Sequence, residues 1–186
     1  MKIGFIGVCR TTMELATRAA KSGHQVLISH TRSNSHMRDL VQMMDGKVKL
    51  VSRREAAKAK MVVLFIPRED IQLFLSDLPD MTEKILLHAN NPIYSLECLT
   101  PSLNMKSSGE IIASLLPEAH VVKIHNIVDS EIPTTVSKKH NDNELFYTGA
   151  NKLAKNKVKS FLKTLNFSGI DFEEMYLETK FAYSPN

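Results

Sequence analysis

The sequence predicts an α/β protein built on a doubly wound, mostly parallel sheet in three αβα layers. Three observations carry that prediction. Short apolar runs alternate with helix-forming stretches from the first residues to about residue 125. Met61–Ile66 is a continuous apolar run ended by Pro67, the pattern of a central parallel strand covered on both faces. At the start of the chain an apolar strand runs through a tight turn into a helix, across Gly7-Val8-Cys9-Arg10-Thr11-Thr12-Met13.

Residues 2–7 read as the first strand. Residues 12–21 read as a helix with Met13, Ala16, Ala19 and Ala20 on one face, stopped by Gly23. Gln25–Ser29 is the second strand, and His36–Met44 a helix ending near Gly46. Val48–Val51 is a third strand, after which Ser52 suits the N-cap of a helix over Arg53–Ala59. Beyond Met61–Ile66 come a helix over about Glu69–Leu78 and a strand at Lys84–His88. Ser107–Leu115 is a helix with Ser107 or Ser108 and Glu110 at its start and Pro117 closing it, followed by a strand at His120–Ile124.

Past Asn126 the texture changes. Ser137–Glu144 is a hydrophilic loop and Leu145–Thr148 a strand ending at Gly149. Lys152–Leu165 is an amphipathic helix whose apolar stripe is read as Leu153, Val158, Phe161, Leu162 and Leu165, and Phe167–Phe172 is a last strand. With no internal repeat or low-complexity tract, residues 1–186 are expected to form a single domain, with 127–186 as its C-terminal extension.

Composition excludes several classes. A chain of 186 residues with 43% apolar and 24% charged side chains can bury one sizeable core and is ordinary for a soluble protein. Its net charge of +4 comes from scattered basic residues, and the mild cluster at Lys152–Lys163 reads as a solvated helix face, so no nucleic-acid partner is expected. No run approaches the roughly 20 apolar residues of a membrane span and no leader pattern is present, so the expectation is a cytoplasmic protein with no membrane partner. Cys9 and Cys98 have no metal or redox spacing. His24, His30, His36, His88, His120, His125 and His140 lack the spacing of a helical zinc site, so no metal is expected.

In a doubly wound sheet the C-terminal strand ends share the edge where ligands bind. Here those ends are Gly7, Ser29-His30, Ile66-Pro67, His88-Ala89-Asn90-Asn91 and His125-Asn126, and the polar residues gather there. His88 and His125 read as strand-end polar residues in the first place, and as cleft-facing proton donors in the second. The opening turn suits a pyrophosphate held by backbone N–H groups at a helix N-terminus. Gly7 fills the first glycine slot of such a loop, whereas Cys9 and Thr12 fill the second and third. Arg10, Thr11 and Thr12 offer donors to phosphate in compensation. A redox role for the Cys9 thiol is the weaker reading beside that of a small residue in a glycine slot. After the second strand the chain reads Ser29-His30-Thr31-Arg32-Ser33, with hydroxyls and a guanidinium where an NAD site has a carboxylate. That set suits a 2′-phosphate and hence NADP. No nucleophile order or G-x-S-x-G elbow appears, and no catalytic side chain is assigned; hydride transfer places its chemistry on the cofactor.

These pieces fall in a familiar order. Lys2–Ala16, Gly23-His24-Gln25-Val26, Ser29–Ser33, Val62–Pro67, Asn90-Asn91-Pro92 and Leu115-Leu116-Pro117 through Val121-Val122-Lys123-Ile124-His125-Asn126 resemble the deazaflavin-dependent NADP oxidoreductases, the coenzyme F-420-dependent family. The likeness continues through Leu145–Gly149 and Leu165-Asn166-Phe167. It implies a Rossmann-like domain that binds NADP(H) and passes hydride between the nicotinamide and a small-molecule redox acceptor, deazaflavin-like or other. By position it implies Gly7, Val8, Cys9, Arg10, Thr11, Thr12 and Met13 at the pyrophosphate and Thr31, Arg32 and Ser33 at the 2′-phosphate. Ile66 and Pro67 would flank the adenosine, and Asn90, Asn91 and Pro92 the nicotinamide ribose. The chain departs from the family at Cys9 and Thr12, at His125, where the family often has an aromatic residue, and in a short, glycine-poor C-terminal portion. The competing reading is a non-catalytic protein of the same fold, an NADP sensor or interaction module with a degenerate loop. Tyr176–Tyr183 is the candidate contact of a homodimer.

Overall fold

The computed structural model describes residues 1–31, 35–44, 46–89, 107–125 and 143–174, the side chain of His36 excepted. Their strands form one eight-stranded sheet: β1 (Lys2–Ile6), β2 (Gln25–Ser29), β3 (Val48–Leu50), β4 (Met61–Leu64), β5 (Ile85–His88), β6 (His120–His125), β7 (Glu144–Thr148) and β8 (Ser168–Asp171). The order across the sheet is β3-β2-β1-β4-β5-β6-β7-β8. The first six strands are mutually parallel. β7 runs antiparallel to β6, and β8 runs parallel to β7, so the last pair points the other way. The doubly wound, mostly parallel, Rossmann-like sheet predicted from the sequence is therefore what the chain forms.

The helices are α1 (Arg10–Lys21), α2 (Arg38–Gln42), α3 (Arg53–Ala56), α4 (Ile71–Ser76), α5 (Ser108–Leu115) and α6 (Lys152–Thr164). They cover both faces of the sheet. On one face α1 and α6 bury Leu15, Ala16, Ala19, Val158, Phe161 and Leu162 against Ile3, Phe5, Val26, Ile28, Val63 and Leu87. On the other, Ala56, Ile71, Phe74, Leu75 and Ile112 of α3, α4 and α5 meet Ile6, Leu27, Val62, Leu64 and Leu86. Alternate residues of each central strand thus feed opposite cores, which is why β4 and β5 are apolar throughout.

Several local expectations need correction. The first helix begins at Arg10, two residues earlier than its periodicity suggests, because Cys9 acts as its N-cap. The stretches His36–Met44 and Glu69–Leu78 each open with a single 3-10 turn, at Ser35–Met37 and Arg68–Asp70, and continue as short α-helices. The helix capped by Ser52 stops at Ala56 rather than Ala59, since the chain must turn at once into β4. Leu153 does not belong to the α6 stripe: it is 73% exposed, while Ala154, Val158, Phe161, Leu162 and Leu165 follow the i, i+4, i+7, i+8 and i+11 spacing of a buried face.

The reversed β7–α6–β8 unit is joined to α1. Arg18 lies 4.0 Å over the Phe167 ring and donates to Asn143 Oδ1 at 3.0 Å. Ser22 Oγ donates to the Thr164 carbonyl at 2.7 Å. Lys155 of α6 bridges Asp171 at 2.8 Å and Glu173 at 2.9 Å, which holds its ammonium charged well above its ordinary range.

Candidate functional site

The sheet order reverses direction between β1 and β4: the chain moves outward from β1 through β2 to β3, then crosses to β4. A crevice forms outside the strand ends at such a switch point. β1 leaves into it at Gly7, which has φ +87° and donates its N–H to the Ser29 carbonyl at 2.9 Å. A Cβ on Gly7 would lie 1.7 Å from the Phe65 carbonyl oxygen at the exit of β4. Only glycine permits both that backbone conformation and that approach. The first slot of the loop is thus filled for a steric reason visible in the fold.

The turn then enters α1. Cys9 is its N-cap, with the Thr12 N–H reaching Cys9 Sγ at 3.5 Å and the Cys9 N–H donating to Thr12 Oγ1 at 2.8 Å. The two residues standing in the second and third glycine slots therefore form one reciprocal capping box. Thr12 is 1% exposed; its hydroxyl donates to the Cys9 carbonyl at 3.1 Å. Arg10 is exposed, and Val8, Cys9, Thr11 and Met13 are half-buried. No acidic residue lies in the first turn of α1, so nothing there opposes an anion at the positive end of the helix dipole. The chemistry of this turn is compatible with a pyrophosphate: a tight glycine turn packed on the exit of β4, a twelve-residue helix behind it with no acid in its first turn, and the exposed Arg10 as its first residue.

The other predicted residues divide in two groups. Thr31 is half-buried beyond the end of β2, next to β1 in the sheet. Ile66 is 2% exposed and joins the core on the α3–α4 side, while Pro67 is half-buried at the exit of β4. The fold thus brings Gly7 to Met13, Thr31, Ile66 and Pro67 to one edge. Arg32, Ser33, Asn90, Asn91 and Pro92 lie outside the described residues, as do Asn126 and Tyr176–Tyr183.

Further along the same edge, His88 ends β5 fully buried. Its Nε2 meets Ser108 Oγ, at the start of α5, at 2.7 Å, while Nδ1 is buried with no partner. Burial first, then the charge of Lys123 and the nearby His125, lower its pKa to about 4. His125 Nε2 meets Thr148 Oγ1 at 3.1 Å, and burial with the Lys123 charge lowers its pKa to about 4 as well. Both rings are neutral at pH 7. They are therefore poor sources of a proton, which weakens the proton-donor reading and favours the strand-end one. Lys123 itself, half-buried on β6, was passed over in the sequence. A lone charge within the apolar run Val121-Val122-Lys123-Ile124 was the signal.

Among the described residues, no group of three or more His, Cys, Asp or Glu side chains could hold a metal ion, and no helix is long and apolar enough to cross a membrane. A shallow pocket of about 240 Å³ between Leu78–Thr82 and Leu115–Ala119 lies at the opposite, N-terminal ends of β5 and β6.

Fold and switch-point loop together define a Rossmann-like α/β protein. Residues 2–92 match the model of the family described as NADP oxidoreductase, coenzyme F420-dependent, so the resemblance read from the sequence is upheld across that stretch. The solved structures agree on the fold. A protein from Arthrobacter sp. FB24, classed with the F420-dependent NADP-reductases, superposes with a TM-score of 0.72 at 24% identity, covering 98% of this chain and 92% of that one. A hypothetical protein from Sinorhizobium meliloti gives 0.71 at 22% identity, covering 92% and 84%. A reductive aminase from Aspergillus terreus, solved with NADPH and ethyl levulinate, gives 0.60 at 17% identity; it covers 97% of this chain, which spans only 61% of that protein. No curated protein matches the chain. The chain has the fold of NADP-dependent oxidoreductases.

Proposed function

We propose that the protein is an NADP(H)-dependent oxidoreductase that moves hydride between the nicotinamide and a small redox acceptor, deazaflavin-like or other. The observation that carries this reading is Gly7: a positive-φ glycine pressed against the exit of β4, at the switch point, heading a capped helix. Gly7, Val8, Cys9, Arg10, Thr11, Thr12 and Met13 would hold the pyrophosphate, with Thr31, Arg32 and Ser33 at the 2′-phosphate. Ile66 and Pro67 would flank the adenosine, and Asn90, Asn91 and Pro92 the nicotinamide ribose. NADP(H) supplies the hydride chemistry when bound; the chain supplies position, orientation and exclusion of water. The neutral His88 and His125 would act as hydrogen-bonding groups rather than proton donors.

One observation favours a second reading, a non-catalytic protein of the same fold. The Cys9–Thr12 box spends the Thr12 N–H on a thiol, so the loop is satisfied internally before any ligand arrives. Titration with NADPH and NADH, followed by fluorescence and thermal shift, decides between them when combined with turnover against deazaflavin, flavin and quinone acceptors. Saturable NADPH binding with turnover is the expected result. Binding without turnover supports the sensor, and no saturable binding at millimolar NADPH sinks the enzyme.

A further inference from the structure

We propose that Lys123, His88 and the N-terminus of α5 form a receptor for an oxyanion, a carboxylate or phosphate carried by the second substrate. The assignment to a second substrate rests on the oxidoreductase reading above; the receptor itself rests on the geometry of β5, β6 and α5.

Lys123 and His88 are register partners on neighbouring strands. Paired residues of parallel strands point to the same face. Leu86 and Val121, two residues earlier on each strand, pack with the α3–α4–α5 side, which places His88 and Lys123 under α5. His125 follows two residues on, so it shares that face. Three nitrogen bases thus sit side by side at the C-terminal edge of the sheet.

Among the described residues no carboxylate is paired with any of the three. Lys123 is half-buried, and burial alone lowers its pKa. A half-buried ammonium without a counter-charge is costly unless an anion joins it. His88 is fully buried, and whichever tautomer it adopts, Nδ1 is left with an unmet lone pair or N–H. Its other nitrogen bonds Ser108, the first residue of α5, so the positive end of that eight-residue helix faces the same place. Three cationic or donor elements converge there. Of the groups around them, Thr148 is bonded to His125, Phe172 stacks obliquely on His125 at 6.1 Å, and Glu110 is the acid at the helix start. The Glu110 carboxylate is turned back to accept the Ser107 N–H at 2.5 Å.

The position separates this receptor from the pyrophosphate loop. Lys123 stands three strands from β1 across β4, β5 and β6, roughly 14 Å at the usual spacing between strands. An oxyanion bound here would also favour the protonated forms of His88 and His125, so binding draws in protons and tightens as pH falls.

The test is a titration of the full chain with inorganic phosphate, and separately with acetate, read by the ring resonances of the histidines with and without saturating NADPH. The expected result is a saturable shift of His88 and His125 that persists with NADPH bound, is accompanied by proton uptake, survives in Lys123→Arg and weakens about tenfold or more in Lys123→Met. The parent arm decides even if the methionine variant fails to fold: no saturable shift in the folded parent overturns the proposal. Equal shifts in a folded Lys123→Met overturn it too. Loss of the shifts under saturating NADPH would assign the receptor to the cofactor and overturn the second-substrate assignment. Failure of NADPH to bind, with the phosphate shifts intact, removes the oxidoreductase reading and leaves the receptor standing.

Discussion

Cys9 and Thr12 cap each other: the N–H of each reaches the side chain of the other, at 3.5 Å to Sγ and 2.8 Å to Oγ1. These are the two positions where the chain departs from the three-glycine loop. A glycine in either place would leave the turn held by backbone alone. Here the side chains take over the work of shaping it, and the Thr12 hydroxyl also reaches the Cys9 carbonyl. The turn is therefore held by its own side chains. It stands at the head of a helix that carries no acid in its first turn.

Removing the hydroxyl tests this. Thr12→Val keeps the volume but leaves the part-buried Cys9 N–H without its acceptor, a loss expected to cost about 1 kcal/mol in a urea melt. Cys9→Ser keeps an N-cap acceptor and should stay within about 0.5 kcal/mol of the parent. If Thr12→Val is as stable as the parent, the box is not holding the turn.

Gly7→Ala should be far more severe than any ordinary exposed-turn substitution. The alanine Cβ would fall 1.7 Å from the Phe65 carbonyl, a backbone atom that cannot swing away, and φ +87° is unfavourable for any L side chain. The strain of such a conformation alone is on the order of 1–3 kcal/mol, and the clash adds to it. The expected outcome is a lowered urea midpoint together with loss of NADPH binding. An alanine variant with parental stability and affinity would mean that β1 does not leave the sheet this way.

The sheet was legible in the sequence because its strands are covered on both faces, so Val62-Val63-Leu64 and Leu86-Leu87 read as unbroken apolar runs. The direction of β7 was not legible: an apolar run such as Leu145-Phe146-Tyr147 has the same composition whichever way it runs. Leu153 was misplaced because one apolar residue in the first turn of a helix cannot by itself say which side of the stripe it is on. The start of α1 was missed because cysteine is an unusual N-cap, recognisable only once Thr12 is seen returning the bond. The site was legible in part. Gly7 announced itself, and Lys123 showed as a lone charge in an apolar run, but its place beside His88 and Ser108 comes only from the register of β5 with β6 and the His88–Ser108 bond, both long-range facts.

In the proposed cofactor assignment, Arg32 is the residue that would favour NADP over NAD. A guanidinium at a 2′-phosphate forms charge-assisted bonds of roughly 1.5–3 kcal/mol, so Arg32→Ala should weaken NADPH by about 10- to 100-fold and leave NADH nearly unchanged. Titration of both cofactors against both proteins reads this directly. Equal affinities for the two cofactors, in parent and variant alike, would remove the 2′-phosphate argument.

The buried His88 makes stability depend on pH in a stated direction. Its pKa falls from the ordinary 6.5 to about 4 in the folded chain, chiefly through burial, so the unfolded chain binds the proton more readily than the folded one. The stability it contributes is fully present above pH 6.5. It declines as the pH drops through the window from 6.5 to about 4, by an amount on the order of 3 kcal/mol for this ring at the lower end. His125 adds to the loss in the same direction, reduced by its partial exposure. Urea melts between pH 8 and pH 4 should therefore show a steep loss over that window. In His88→Gln, which can still hydrogen-bond Ser108 but does not titrate, the slope should flatten. A variant that loses stability across the window as steeply as the parent would show that His88 is not what titrates there.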